Sequence, residues 1–323
     1  MRTITLEEHF ASPAFLDGPG AHSKERARAI PRFAKLIEQL TDLGAGRIAE
    51  MDAAGIDMQV LSLTAPGVEQ MERADEAAAM ARETNDYLAA AVKNNPARFA
   101  GFAALPTAAP DQAGSELERR VRAGFKGAVI NGHNRGRYLD DPFFEPILDR
   151  AAALQAPIYL HPTIPPAGVI ESSYAGFAEP VTFALATVGW GWHINTATHA
   201  LRMILGGVFD RHPSLQMIIG HMGEATSFML PRFDATLKPE LTGLQLSVSS
   251  YLRENFHYTF ANFNDHATYA NLVAQVGIER VAFSADYPFG SMVDARAFLD
   301  GLPLSDDERA AISHRNAEKL LGL

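Results

Sequence analysis

Eight short apolar runs, most of them separated by stretches whose apolar residues recur at helical spacing, constrain this chain more than any other feature. The runs fall at residues 3–7, 58–63, 99–105, 125–130, 157–161, 216–220, 256–261 and 281–284. The helical patterns fall at 74–95, 109–123, 142–155, 183–208 and 265–276. Parallel strands need crossover connections, and amphipathic helices are the usual crossovers, so the alternation predicts a parallel sheet covered by helices. Eight strands is the number that closes such a sheet, and the expected fold is a (β/α)8 barrel. Two segments exceed the minimal repeat. Residues 13–43 read as an insertion after the first strand, helix-like at 33–42, and residues 305–323 read as one or two closing helices. Residues 163–180, rich in Pro, Gly and Ser, read as a long loop where a barrel places a substrate lid. The whole chain, 1–323, reads as a single barrel domain.

Composition narrows the function. Of 323 residues, 47% are hydrophobic and 20% charged, enough apolar material for a large core. A net charge of −10 without a Lys/Arg cluster argues against a nucleic-acid surface. An acidic substrate must therefore be met locally, by a metal ion or a few arginines. The absence of cysteine removes disulfides, thiolate metal sites and cysteine nucleophiles together. No basic segment followed by an apolar stretch opens the chain, and no run approaches the ~18 apolar residues of a membrane helix. The expectation is a cytoplasmic protein without a membrane segment.

The chemistry gathers at the ends of the runs. Glu7 and His9 close the first, one residue apart, and on a strand that spacing puts both on one face. His161 ends the fifth, in Tyr159-Leu160-His161-Pro162, and Asp286 ends the last, in Phe283-Ser284-Ala285-Asp286-Tyr287-Pro288. Two carboxylates and two imidazoles suit one borderline divalent ion such as Zn²⁺ or Mn²⁺. Each has a plainer reading: a solvated strand end for Glu7 and His9, a core histidine for His161, a helix cap for Asp286. Those readings explain the residues singly but not their shared placement. His221 follows Met217-Ile218-Ile219-Gly220, and Glu224 stands three residues on, where a helical turn would return it to the imidazole and fix the tautomer. His133, after the fourth run, could line a pocket. The remaining histidines, His193 and His199 in a helical stretch among them, carry less weight. The chain shows no phosphate loop, nucleophile elbow or H-E-x-x-H pair.

Taken together, Leu6-Glu7-Glu8-His9-Phe10, Tyr159-Leu160-His161-Pro162, Gly220-His221-Met222-Gly223-Glu224 and Phe283-Ser284-Ala285-Asp286-Tyr287-Pro288-Phe289 resemble the amidohydrolase superfamily. More narrowly, they resemble its aminocarboxymuconate-semialdehyde decarboxylase-like group. That group includes 5-carboxyvanillate, γ-resorcylate and 2,3-dihydroxybenzoate decarboxylases. Hydrolytic members of the superfamily usually carry H-x-H on strand one and many have a metal-bridging lysine on strand four. Here Glu7 replaces the first histidine, and no lysine ends the fourth run, so one ion is expected rather than two.

The resemblance implies Glu7, His9, His161 and Asp286 as ligands, His221 oriented by Glu224 as a catalytic group, and Arg47 and Arg232 facing the substrate. It implies a small aromatic carboxylate with an ortho hydroxyl as substrate, protonated on the ring by Asp286 before CO₂ leaves. It further implies a homodimer or homotetramer in which Arg232 reaches the neighbouring subunit's site. The apolar neighbours Phe228, Met229, Leu230 and Phe233 suit such an interface. A metal-dependent hydrolase or hydratase of the same superfamily is the alternative, and a catalytically silent binding protein a more distant one.

Overall fold

The computed structural model describes residues 1–22, 24–25 and 31–323; part of the 13–43 insertion thus lies outside the described residues. Among the described residues, nine parallel strand segments fill eight positions around a barrel. They are β1 (Ile4–Phe10), β2 (Met58–Leu63), β3 (Phe99–Gly101), β4 (Ala103–Ala104), β5 (Ala128–Asn131), β6 (Ile158–His161), β7 (Met217–Ile219), β8 (Phe256–Thr259) and β9 (Val281–Ala282). Each pairs with the next in order, β3 and β4 being one stave interrupted at Phe102. The circle closes where the Leu6 amide donates to the Phe283 carbonyl at 3.2 Å and the His9 amide to the Tyr287 carbonyl at 2.7 Å. The expected (β/α)8 barrel is therefore present, with all eight expected runs contributing a strand.

The strands are buried on both faces, which is why they read as apolar runs rather than alternating ones. Ile4, Leu6, Val60, Phe102, Val129, Tyr159, Ile218 and Ala282 fill the barrel interior. Ala317 and Leu321, on helix Asn316–Leu321, join that cluster and close the barrel from below. The closing segment begins at helix Asp306–Ala310, whose Ser305 and Glu308 form a reciprocal capping box. A second, larger core lies between the barrel and its outer helices.

Two expectations change. The loop expected at 163–180 carries helix Ala167–Ser173 and the start of helix Glu179–Ala186, Pro180 standing in the latter's first turn, where a missing amide costs nothing. The helix expected over 183–208 is broken between Ala186 and Gly191. A Cβ at Gly189 would lie 2.8 Å from the Ala184 carbonyl oxygen, and one at Gly191 2.2 Å from that of Ala186, so only glycine permits this reversal.

Candidate metal centre and active site

The site begins with a defect in β1. Thr5 is paired with Gln59 and Glu8 with Leu61, so β1 spends three steps where β2 spends two. Such a bulge shifts the alternation of side chains. Ile4 and Leu6 pack into the barrel interior below it, and beyond it Glu7 and His9 occupy the inward positions. Without the extra residue, period two would continue from Leu6 to Glu8.

Glu7 is fully buried and its two oxygens have different surroundings. Oε2 accepts hydrogen bonds from the Tyr159 hydroxyl and, at 3.1 Å, from Thr259 Oγ1. Oε1 has no hydrogen-bond partner and stands 3.5 Å from His161 Nε2. His9 Nε2 lies 3.2 Å from Asp286 Oδ1, and the His9 and His161 rings meet edge to face at 4.7 Å. Burial, reinforced by His9 and His221, holds the His161 imidazole well below its usual range, so one ring nitrogen keeps a lone pair for an ion. One ligand atom from each of Glu7, His9, His161 and Asp286 lies within 4.8 Å of the others. An ion held at ~2.0–2.2 Å from each would bring such atoms to about 4.4 Å or less, a contraction of a few tenths of an ångström. The unpaired Glu7 oxygen, the neutral imidazole and the mixed N/O donors fit a divalent cation.

Asp286 is held by a residue to which sequence reasoning assigned no role. Glu8 points away from Glu7 and accepts the amide protons of Ala285 at 2.9 Å and Tyr287 at 3.1 Å, the two neighbours of Asp286. Asp286 has φ of 60°, a left-handed conformation that costs a non-glycine residue ~1–3 kcal/mol and persists only where its surroundings enforce it. Burial raises the Glu8 carboxyl to about 8, its amide donors working against the rise.

His221 and Glu224 meet as expected, but not on an ordinary helix. Residues 221–225 all have positive φ, between 50° and 88°. A Cβ on Gly220 would lie 2.3 Å from Glu7 Oε2, so glycine lets this turn press against the Glu7 carboxylate. His221 Nδ1 is 2.8 Å from Glu224 Oε1 and 4.0 Å from Glu7 Oε1. Burial alone would lower the His221 imidazole, but Glu224 and Glu7 outweigh it and lift it to about 10. Burial likewise opposes the Glu224 charge, yet His221 and His193 keep its carboxyl below the usual range.

The other expected substrate residues stand elsewhere. Arg47 does not present a free guanidinium to a ligand. It is fully buried, its nitrogens donating to the carbonyls of His9 (2.7 Å), Gln39 (2.8 Å) and Asp42 (2.8 Å) and to Gln59 Oε1 (3.3 Å). It thereby ties helix Ala45–Ala54 to β1 from behind the site. His133 is buried, accepting from the Gly136 amide at Nδ1 (2.9 Å) and lying 3.1 Å from the Ile164 carbonyl at Nε2. Both ring nitrogens are thus used to join the segments after β5 and β6. Arg232 is exposed on helix Thr226–Thr236, without a side-chain hydrogen bond or ion pair among the described residues. Asn131 ends β5, opposite His161, where a bridging lysine was not expected.

Comparison with known proteins identifies the family. The sequence profile of the family described as Amidohydrolase matches residues 39–323. The chain is 34% identical to a γ-resorcylate decarboxylase of Rhizobium radiobacter, over 99% of this chain and 98% of that one. Among solved structures it is similar to a 5-carboxyvanillate decarboxylase of Novosphingobium aromaticivorans complexed with manganese and 4-hydroxy-3-methoxy-5-nitrobenzoic acid. There the TM-score is 0.91 and identity 31%, over 100% of this chain and 96% of the other. It is also similar to a dihydroxybenzoic acid decarboxylase of Polaromonas with bound manganese and the inhibitor 2-nitroresorcinol, at TM-score 0.91 and 32% identity, covering 100% and 97%.

Proposed function

The chain belongs to the amidohydrolase family, and from that premise we propose that it is a metal-dependent, non-oxidative decarboxylase of an aromatic acid bearing a hydroxyl ortho to its carboxylate. The observation that carries this reading is the convergence of Glu7, His9, His161 and Asp286 within 4.8 Å, in a chain related over nearly its whole length to such decarboxylases. One divalent ion, Mn²⁺ or Zn²⁺, would supply the charge that draws carboxylate and phenolate into one orientation and lowers the phenol pKa. The manganese in both decarboxylase structures supports the first of these two ions.

The rest of the mechanism belongs to the side chains. Asp286, fixed between the two amides that Glu8 holds, hands its proton to the ring carbon bearing the carboxylate. The carbon–carbon bond then breaks, its electron pair returns to the ring, CO₂ departs and aromaticity is restored. Asp286 is left as a carboxylate and is reprotonated from solvent. His221, with Nδ1 committed to Glu224, keeps Nε2 for the charge that shifts on the substrate during this step. Arg232 would meet a substrate carboxylate from the neighbouring subunit of a homodimer or homotetramer. Its exposure, and that of Phe228 at 76%, supports this arrangement.

The test is CO₂ release from a panel of hydroxybenzoates. Turnover of at least one ortho-hydroxy acid, abolished by chelation and restored by Mn²⁺, is the expected result. Hydrolysis of lactones or hydration of unsaturated dicarboxylates without any CO₂ release would replace this reading with the hydrolase alternative.

A further inference from the structure

His193 lies in the first turn of helix Gly191–Leu205, a setting that hid it among helical histidines. Its side chain is 11% exposed. Nδ1 is 2.5 Å from Glu224 Oε2, and Nε2 is 3.0 Å from the Val188 carbonyl. Both partners are acceptors, so this arrangement uses two ring N–H donors. Each Glu224 oxygen therefore carries one imidazole, His221 on Oε1 and His193 on Oε2. The rings of His193, His221 and Phe263 also meet edge-on in all three pairs, at 4.8, 5.2 and 5.8 Å. His221 is thus confined by a ring contact as well as a hydrogen bond. His193, His221 and Glu224 also gather closely enough to suggest an ion site. Their Nδ1 atoms and both carboxylate oxygens are already paired with one another, which is what a hydrogen-bonded relay requires and an ion site does not.

We propose that His193 is a positioning residue for the reaction, holding Glu224 so that Glu224 holds the ring of His221. Through the Val188 carbonyl it also ties that ring to the chain reversal between helices Glu179–Ala186 and Gly191–Leu205. Removing His193 leaves a buried carboxylate oxygen without a donor. Glu224 can then turn, and His221 loses its defined orientation. This inference rests on the decarboxylase reading above.

The experiment compares His193→Phe and His193→Gln with the wild type. Removal of an outer hydrogen-bond partner typically costs ~10–100-fold, and that loss is expected in kcat for His193→Phe. KM and bound metal should stay near wild type, because the interaction removed touches neither substrate nor ion. His193→Gln keeps one donor toward Glu224 and should recover most of the activity. A second measurement needs no turnover: the nitrogen shifts of His221 in ¹⁵N-histidine-labelled, zinc-loaded protein. A single sharp Nδ1 signal, at the position of an N–H strongly hydrogen-bonded to Glu224, is expected in the wild type, and a shifted or exchange-broadened one in His193→Phe. Wild-type kcat in His193→Phe, a loss that tracks metal content, or unchanged His221 shifts in both variants would overturn the proposal. Failure of the wild type to release CO₂ would instead strike the decarboxylase reading, and the His221 shifts would still decide the role of His193. Should His193→Phe not fold, His193→Ala, which likewise removes the donor toward Glu224, takes its place, and the same His221 shifts carry the decision.

Discussion

The two ends of the barrel use the same strands and collect opposite charges. At the C-terminal ends, Glu7, Asp286 and Glu224 surround His9, His161 and His221. At the N-terminal ends, Lys126, Arg280 and Lys319 outnumber the one carboxylate, Glu279, along a cleft of about 680 Å³ that Gln216 and His257 also line. One histidine at each end records the difference. Burial lowers both, but His221 is lifted to about 10 by Glu224 and Glu7, whereas His257 is pushed further down, to about 3, by Arg280 and Lys319. Arg280 Nη1 donates to Gln216 Oε1 at 3.2 Å and lies 3.1 Å from His257 Nε2, which can accept only when unprotonated. Burial gives neighbours leverage over a titrating group, and the neighbours decide the sign. The acidic end also holds the unpaired Glu7 oxygen and the strained turns at 221–225 and 286, features that accompany function rather than stability.

The sharpest way to break this contrast is Asp286→Asn. Asparagine keeps the shape but has no proton to give, and loss of general acid catalysis alone is worth ~10²–10⁴-fold. Decarboxylation should fall at least that far with the fold intact. Wild-type-like turnover in a metal-loaded variant would remove Asp286 from the acid role.

Arg232→Ala comes next. A charge-assisted hydrogen bond to a substrate carboxylate contributes ~1.5–3 kcal/mol, so kcat/KM should fall by roughly 10–150-fold. Mixing this variant with Asp286→Asn under subunit exchange should restore activity, since a mixed dimer holds one site with both residues. Absence of complementation, or a fully active monomer, would place the arginine's action within its own subunit or nowhere in the reaction.

A smaller loss is expected for Glu224→Gln. The neutral amide no longer stabilises the charged His221 ring, and kcat should drop by about 10–100-fold. Unchanged kcat would show that His221 needs no partner.

His257→Gln should leave turnover untouched and alter only the pH dependence of stability. The folded His257 binds its proton at about 3, far below the ~6.5 of an unfolded chain. Its favourable contribution is therefore complete above pH ~6.5 and is lost as pH falls toward 3. The wild-type Tm should fall more steeply than that of His257→Gln across this range. His221 has the opposite sign: its raised value contributes stability fully below ~6.5 and loses it as pH rises through about 10. Parallel Tm curves for wild type and His257→Gln would show that the basic end does not act on His257 as described.

What residues alone determined was short in range. Strand-length apolar runs and helical spacing are properties of neighbouring positions, and the eight staves were legible for that reason. The same holds for Glu7 and His9 sharing a face, for His161 and Asp286 at strand ends, and for Glu224 returning to His221 within one turn. Tertiary structure decided whatever depends on partners distant in the chain. The bulge that carries Glu7 and His9 inward exists only as a register between β1 and β2. Glu8 acts on residues nearly 280 positions away, which no local pattern reveals. Arg47, expected to face the substrate, shows no local sign that the carbonyls of His9, Gln39 and Asp42 close around it. His193 sits on a helix, and only the fold brings Glu224 to its Nδ1. Periodicity specifies which face a side chain occupies; the chemistry it performs there is set by groups that only the closed barrel brings within hydrogen-bonding distance.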